Sequence, residues 1–373
     1  MPTSSAQART RCDARSVAAA RKSIVELSRS AAEPDEFRRR LRGILARVVV
    51  FDAYCVNTAD PATLLVTGSI GDGLPPDRAA RLFEIEYLVP DFSKMAELAV
   101  GPKQVAVLGD ETGRCPERST RMREVFLPIG YAHELRCALM VGGSCWGYLH
   151  LLRGHERDDF SRSEAEAIRR IAPYIACGLR LGVLKRAAGS TSTEVGVLLL
   201  SDCSTIVDSM NAPAMRWLEE LKNEPSQPLP HSVLAVAQRT RTSSGEEPNP
   251  ASCRVQTRAG QWLSIHGTRI GGRLAVILET ARPVDVAQVI LLAYELTQRE
   301  GRVVHFLLRG MSNDEIALEL GLSTYTVKDH LKAIFRKTGA RSRAEVAARV
   351  FNEQHLPRIA TRSAIGTSGW FAD

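Results

Sequence analysis

Six side chains in one short segment have the chemical types and the spacing needed to contact a nucleic-acid duplex. In a helix predicted from Thr324 to Thr338, the apolar residues Val327, Leu331, Ile334 and Phe335 recur at helical spacing and must face a core. Cations bind phosphates and guanine edges, and a carboxylate accepts from the amino group of cytosine. We therefore predict that the outward face enters the major groove of double-stranded DNA through Tyr325, Thr326, Lys328, Asp329, Lys332 and Arg336.

The elements that must position this face are marked by helix-start signals. The pattern of Ser or Thr followed three residues later by Glu occurs at Thr297, Ser312 and Ser342, and it is typical of capping boxes. Glycines 310, 321 and 339 stand where left-handed turns end helices. Four short helices follow from these signals: about Gln298–Arg309, Asn313–Leu320, Thr324–Thr338 and Arg343–Phe351. Only Gly321-Leu322-Ser323 separates the second helix from the third, which is the turn of a helix-turn-helix.

Charge is concentrated in the same region. The 373 residues carry a net charge of +7, and residues 296–351 contain ten Lys and Arg against six Asp and Glu. Most of that local surplus lies in and after the third helix, at Lys328, Lys332, Arg336, Lys337, Arg341 and Arg343. A duplex approaching this helix would therefore meet a basic edge.

The strings Leu296–Glu300, Gly310–Ala317, Thr326–Leu331 and Arg341–Arg343 closely resemble the LuxR-type DNA-binding domain, also called GerE-like. The resemblance is contiguous over Leu296–Phe351. It implies that the third helix reads DNA, that the fourth mediates dimer contact, and that Lys328, Asp329 and Lys332 lie nearest the base edges. Asp329 departs from the small apolar residue common at its position, which leaves the preferred base step open but not the docking.

The first half of the chain reads as an α+β module over residues 16–185. Phe51–Asn57 and Ala62–Val66 are predicted strands around a turn at Thr58–Pro61, and His133–Val141 and Cys145–Leu152 are predicted to form a hairpin. A helix should start at the capping box Ser161–Glu164 and run to about Arg186. This order resembles a GAF domain.

A second α+β module is predicted over residues 194–281. Its predicted elements are a strand at Val195–Leu200, a helix at Asn211–Leu221, and strands at Ser252–Thr257, Trp262–Thr268 and Arg273–Glu279. The order resembles a compact PAS domain in which the helical middle is replaced by the Pro-, Ser- and Glu-containing stretch Asn223–Asn249. The best linker candidate before it is Gly189–Thr193.

The predicted fold is therefore multidomain. A disordered arm at 1–15 precedes the GAF-like sensor at 16–185 and the PAS-like module at 194–281. After them come a connecting helix at 282–295, the all-α four-helix LuxR-type domain at 296–352 and a tail at 353–373.

The leading hypothesis is a homodimeric, sequence-specific transcription regulator that binds an operator in double-stranded DNA. A small-molecule effector or a partner at the N-terminal sensor would control it, and RNA polymerase is a further candidate partner. The alternative is a ligand-free scaffold for protein contacts in place of a sensor.

Other classes of function lack their motifs. The eight cysteines show no zinc-ligand spacing, no catalytic motif is found, and no enzyme activity, cofactor or metal is predicted. The apolar runs are too short to span a membrane, so we expect no membrane partner and a cytoplasmic location. A ligand-binding residue cannot be assigned from the sequence, but Tyr54, Cys137, Trp146 and His150 are candidates for lining a cavity.

Overall fold

The structure is a computed structural model that describes residues 13–31, 33–185, 194–201, 206–223, 227–242 and 251–352, and the backbone of 364–365 and 371–372. The predicted linker Gly189–Thr193 and most of the predicted arm and tail lie outside these residues. The arm was predicted to reach residue 15, but helix α1 begins at Ala14 because the Asp13 side chain accepts a hydrogen bond from the Ser16 amide.

The first module is a five-stranded antiparallel sheet with helices on its faces. Its strands are β1 (Ala53–Ala59), β2 (Val66–Asp72), β3 (Val105–Val107), β4 (Tyr131–Val141) and β5 (Ser144–Gly154), in the spatial order β2-β1-β5-β4-β3. The predicted hairpin is confirmed as β4 and β5. The strand predicted at Ala62–Val66 was wrong. The Leu64 amide bonds back to the Asp60 carbonyl in a turn, and the strand starts only at Val66.

The helices of the first module cover both faces of this sheet. They are α1 (Ala14–Ser30), α2 (Pro34–Leu45), α3 (Ala79–Leu88), α4 (Met95–Val100), α5 (Leu108–Thr112) and α6 (Arg162–Lys185). Single 3₁₀ turns lie at Pro76–Arg78, Pro116–Arg118 and Leu127–Ile129, and a π-helical turn at Met122–Phe126. The capping box predicted for α6 forms, because the Glu164 carboxylate accepts from the Ser161 amide while the Ser161 hydroxyl accepts from the Glu164 amide.

The second module repeats the strand order of the first. Its elements are β6 (Gly196–Leu200), β7 (Val207–Met210), α7 (Ala212–Leu221), α8 (His231–Thr242), β8 (Ser252–Gln256), β9 (Trp262–Ile270) and β10 (Arg273–Thr280). All strand pairs are antiparallel, and the spatial order is β7-β6-β10-β9-β8. Numbered within each module, both sheets have the order 2-1-5-4-3, with helices between the second and third strands.

Helix α8 was not predicted, because the stretch Asn223–Asn249 was interpreted as lacking helical structure. Every residue from Ser232 to Gln238 is buried. One side of the helix packs on β8, β9 and β10, and the other packs on α3 and β2 of the first module. A helix that is apolar all round, as Val233–Ala237 is, belongs between two layers. The two modules consequently share one apolar cluster across their boundary.

The C-terminal part is helical. Its helices are α9 (Pro283–Ala293), α10 (Gln298–Leu308), α11 (Asn313–Leu320), α12 (Thr324–Thr338) and α13 (Arg343–Ala347), and a π-helical turn at Ala348–Asn352 continues the last of them. The four helices predicted for this region are confirmed to within one residue, except that the fourth changes to π geometry at Ala348. Two further short strands, β11 (Ala364–Ile365) and β12 (Phe371–Ala372), pair with each other.

A buried ion pair joins the two modules and α9. The Asp60 carboxylate accepts from the Arg254 backbone amide at 2.8 Å, from its Nε at 2.9 Å and from its Nη2 at 2.7 Å. The same guanidinium donates through Nη1 to the carbonyl of Asp285 in α9, at 3.0 Å. The Asp60 side chain is fully buried and that of Arg254 is 11% exposed. One arginine of β8 therefore holds the β1–β2 turn and the start of α9.

We predict that Asp60→Ala destabilises the chain by about 3 kcal/mol, because it leaves the Arg254 guanidinium without its buried counter-charge. Thermal unfolding followed by tryptophan fluorescence reports this change, since Trp146, Trp217 and Trp262 are buried in the two modules. Asp77→Ala is the matched control, because the Asp77 side chain is 75% exposed. An unchanged melting temperature in Asp60→Ala would show that the pair contributes nothing to holding the modules together.

Candidate DNA-binding interface

The helices that present the predicted recognition face are capped by their own side chains. The Thr297 hydroxyl accepts from the Glu300 amide at 3.2 Å, and the Glu300 carboxylate accepts from the Thr297 amide at 2.7 Å. Ser312 and Glu315 form the same reciprocal pair. The third predicted box forms only in part. The Ser342 hydroxyl accepts from the Glu345 amide, but the Glu345 carboxylate accepts from Arg341 instead.

The turn between α11 and α12 has the geometry that the sequence predicts. Gly321 lies in the left-handed region with φ of 62°, and Gly310 and Gly339 are also left-handed. The Ser323 hydroxyl accepts from the Thr326 amide at 3.0 Å and begins α12. A hydrogen bond of 2.7 Å from the Thr324 hydroxyl to Asp314 fixes α12 against α11.

The core face of α12 is buried as predicted. Val327 and Ile334 have no exposed surface, Leu331 is buried, and Phe335 packs partly buried against the same cluster. That cluster is separate from the cores of the two modules. Three residues in or directly after α9 also pack on it: Ala287, Leu291 and Tyr294. The helix is therefore fixed in rotation, and its polar side must face outward.

The structure leaves five of the six predicted contact residues exposed on α12, and Thr326 is the exception. Tyr325 is 72% exposed, Lys328, Asp329, Lys332 and Arg336 are exposed, and Thr326 is partly buried. The Lys332 ammonium lies 3.1 Å from the Asp329 carboxylate, and both side chains are at least half exposed. Such a surface pair is worth little and exchanges readily for a phosphate. The pairing with Asp329 therefore leaves Lys332 within reach of a duplex.

Two of the six basic residues in and after the third helix, Lys337 and Arg343, bond within the domain and do not belong to an exposed basic edge. The Lys337 ammonium bonds to Glu300 at 2.6 Å and to the Glu295 carbonyl at 2.9 Å. Burial raises the pKa of the Glu300 carboxyl, and hydrogen bonds from Lys337 and Thr297 more than offset it, so its pKa lies below the usual range. Arg343 donates to Asn313 at 2.6 Å and to the Met311 carbonyl. The basic edge accordingly consists of Lys328, Lys332, Arg336 and Arg341, which are exposed.

The candidates for a ligand cavity in the first module separate into two groups. His150 lines a cavity between the sheet and helices α3 and α8, and Trp146 lines a different space between the modules. Tyr54 and Cys137 line neither, since the Tyr54 hydroxyl donates to the Arg38 carbonyl in the core and Cys137 is buried. No sequence pattern indicates His231 and Gln227, which line the first cavity from the second module.

No group of three or more His, Cys, Asp or Glu side chains within the described ranges is arranged to hold a metal ion. Over those same residues, no helix is both long enough and apolar enough to cross a membrane.

Comparison with known sequences supports the identity of the C-terminal domain. Residues 294–350 match the family described as "Bacterial regulatory proteins, luxR family". A curated relative, the nitrate/nitrite response regulator protein NarP of Escherichia coli (strain K12), is 48% identical over 48 residues, which are 13% of this chain and 22% of NarP. The match thus spans less than a quarter of that relative. Residues 294–350 form a LuxR-family helix-turn-helix domain, which indicates DNA binding and transcription regulation.

Comparison with solved structures gives matches of low similarity. Escherichia coli SdiA aligns with a TM-score of 0.33 and 12% identity over 89% of this chain and 97% of SdiA. A GAF domain/HD domain protein from Geobacter sulfurreducens aligns with a TM-score of 0.26 and 19% identity over 39% of this chain and 92% of that protein.

We predict that Gly321→Val loosens the helix-turn-helix, because a β-branched residue is strained by about 1–2 kcal/mol at positive φ. Hydrogen exchange followed by mass spectrometry should show peptides of α11 and α12 exchanging about tenfold faster than in the parent chain. Gly301→Ala is the control, because Gly301 is helical and an added Cβ would make only an ordinary contact with Leu291. Equal exchange in Gly321→Val and the parent would mean that the turn does not depend on a left-handed residue.

Proposed function

We propose that the chain is a homodimeric, sequence-specific transcription regulator that reads an operator with the exposed face of α12. The observation that carries the proposal is the coincidence of two independent features in one helix. The helix belongs to a LuxR-family helix-turn-helix domain, and its outward face presents Lys328, Lys332 and Arg336 beside Asp329, the single carboxylate of this helix. Cations and an acceptor on one exposed helix match the phosphates and base edges of a major groove.

The proposal assigns sensing to the two N-terminal modules, with a GAF-like domain at 16–185 and a PAS-like module at 194–281. Antiparallel sheets covered by helices support both assignments. The modules share α8 and the Asp60–Arg254 pair, so they behave as one sensor rather than as two independent domains. A small molecule or a partner bound there acts on DNA affinity only if it binds two states of the sensor unequally.

Helix α9, within the predicted connector 282–295, provides the physical connection. Val286, Val289, Ile290 and Ala293 are buried in the core formed with α6 and its neighbours. At the end of the helix, Arg180 of α6 donates to the Ala293 carbonyl at 2.9 Å and lies 3.2 Å from Glu295. The DNA-binding domain is therefore attached to the sensor through packed side chains, and a shift of α6 or α9 changes its placement.

Dimerisation through α13 completes the proposal. The LuxR-type resemblance implies that this fourth helix contacts a second copy, which would place two recognition helices on one duplex. Two such helices read an inverted repeat, with half-sites set by the spacing of the helices. RNA polymerase is a further candidate partner for the bound dimer.

The direct test is selection of bound duplexes from a random pool by the full-length protein, followed by a salt titration on the most enriched sequence. An enriched inverted repeat whose affinity falls steeply with salt is expected from a dimer that neutralises phosphates. If the full-length protein enriches no sequence, even at low salt, sequence-specific binding is contradicted.

We predict that Lys332→Ala weakens binding to the selected duplex and lowers the salt slope by about 1, because one phosphate contact is lost. Asp329→Ala should change the preferred base more than the affinity, since it removes an acceptor but also a charge that repels phosphate. The measurement is fluorescence anisotropy of labelled duplexes at several salt concentrations. Lys103→Ala, a 78% exposed lysine of the first module, is the matched control. Binding equal to the parent in both variants would show that this face does not contact DNA.

A further inference from the structure

A cavity of about 120 Å³ lies where the two modules meet. The first sheet forms its floor, α3 forms one wall, and the second module contributes Asn223, Gln227 and His231 at and before the start of α8. At the roughly 30 Å³ that one molecule of liquid water occupies, this volume corresponds to about four waters, or to one small aromatic ring. The first module alone does not enclose the space.

Contacts across the module boundary keep the second module's residues in place. The Asn223 side-chain oxygen accepts from the Ser69 amide of β2 at 3.1 Å. The Gln227 amide nitrogen lies 2.7 Å from Nδ1 of His231, and the His231 ring lies 5.3 Å from the ring of Phe83 in α3. The wall of the cavity is thus a fixed part of the interface between the modules.

Charged groups at the floor are already paired with one another. The Arg136 guanidinium donates to Glu86 at 2.8 Å and to Glu134 at 2.9 Å, and Arg121 lies 2.7 Å from the other oxygen of Glu134. Burial raises the pKa of Glu134, and the two guanidiniums outweigh it and bring the pKa down to about 2. An ionised ligand would have to give up its hydration without finding an unpaired counter-charge, which is costly.

Among the described residues of this lining, His150 of β5 has the one buried side-chain nitrogen without a hydrogen-bond partner. It lines the cavity, its side chain is 8% exposed, and its Nε2 has no hydrogen-bond partner among the residues that the structure describes. Burial, together with Arg136, lowers the pKa of His150 to about 3, so the ring is neutral. A neutral imidazole nitrogen exchanges one hydrogen bond with an uncharged amide, hydroxyl or ring nitrogen.

Most of the remaining lining is apolar and partly aromatic. Phe83 and Tyr87 stand on one face of α3 with their rings 6.0 Å apart, and Phe126, Met95 and Leu82 enclose the rest. Aromatic walls favour a ligand with a flat ring. Such a ring buries apolar surface by stacking on them and loses little conformational entropy.

We propose that this cavity is an effector site for a small, uncharged, ring-containing molecule that hydrogen-bonds to His150 and is closed by His231 and Gln227 of the second module. Because the site is built from both modules, its occupant binds only the arrangement in which α3 and α8 are packed together.

As a regulatory site, this inference rests on the proposed function. Helix α8 packs on β8, and Arg254 of β8 bonds to Asp285 in α9. A ligand that stabilises the contact between α3 and α8 therefore also stabilises the position of α9, the helix that joins the DNA-binding domain to the modules.

Three probes of nearly the same shape test the chemistry: neutral benzamide, anionic benzoate and cationic benzamidine. Each is added at millimolar concentration to the full-length protein without DNA, and binding is followed by saturation-transfer NMR and by the shift in melting temperature. We expect benzamide to bind at least about tenfold more tightly than either charged probe. Benzoate or benzamidine binding as well as benzamide, or no binding of benzamide, would overturn the proposal.

Variants locate the binding. Ala79→Phe fills the cavity from the start of α3, and His231→Ala removes the wall given by the second module; each should weaken benzamide binding by about tenfold. Ala18→Phe, an exposed alanine of α1, is the matched control for an added ring. Benzamide binding that both cavity variants leave unchanged would place the probe elsewhere and refute the site. Since no DNA is present, failure here is distinct from failure of the duplex selection.

Discussion

The arrangement of the whole chain depends on one helix of eleven residues that is buried against two cores. One side of α9 places Val286, Val289 and Ile290 in the core of the N-terminal modules, while Leu291 packs on the core of the DNA-binding domain. Burying an aliphatic side chain of this size contributes roughly 1.5–3 kcal/mol. Neither domain can move relative to α9 without exposing such side chains, so α9 transmits the position of one domain to the other.

The rest of the molecule is organised around that constraint. Arg254 holds the start of α9 to the second module and, through Asp60, to the first. Two cations bind Glu295, just after α9: Arg180 of α6 pairs with its carboxylate, and Lys337 of α12 donates to its carbonyl. Interfaces of this kind are discrete in their packing, so a repacking of the N-terminal modules would give α12 a second defined position rather than a continuum of positions.

The sequence predicted the structure best where local interactions determine it. The caps at Thr297 and Ser312 and the left-handed Gly321 are settled within a few residues, and the helices of this domain were placed almost to the residue. Helix α8 was missed because its uniformly apolar run shows no amphipathic period, and its burial between two layers is a property of the assembled modules. The strand β2 was misplaced for a related reason, since its start depends on the turn closed by Asp60.

The candidate sites follow the same division. The outward face of α12 could be predicted from helical period alone, since a buried stripe fixes the opposite side. Which basic residues stay exposed could not, because Lys337 and Arg343 are bound by partners 37 and 30 residues away in sequence. The cavity was even less accessible to prediction. His150 was a candidate, but His231, which completes the site, lies 81 residues further along the chain, in the other module.

Hydrogen exchange of the full-length protein, with and without its selected duplex, tests most directly whether α9 couples the two parts. Exchange at α9 reports on local opening, and its side chains belong to both cores. If α9 couples the two parts, DNA slows exchange in α9 as well as in α12. Slower exchange confined to residues 296–352, with α9 unchanged, would contradict this coupling and would mean that the DNA-binding domain is attached to the N-terminal modules without being coupled to them.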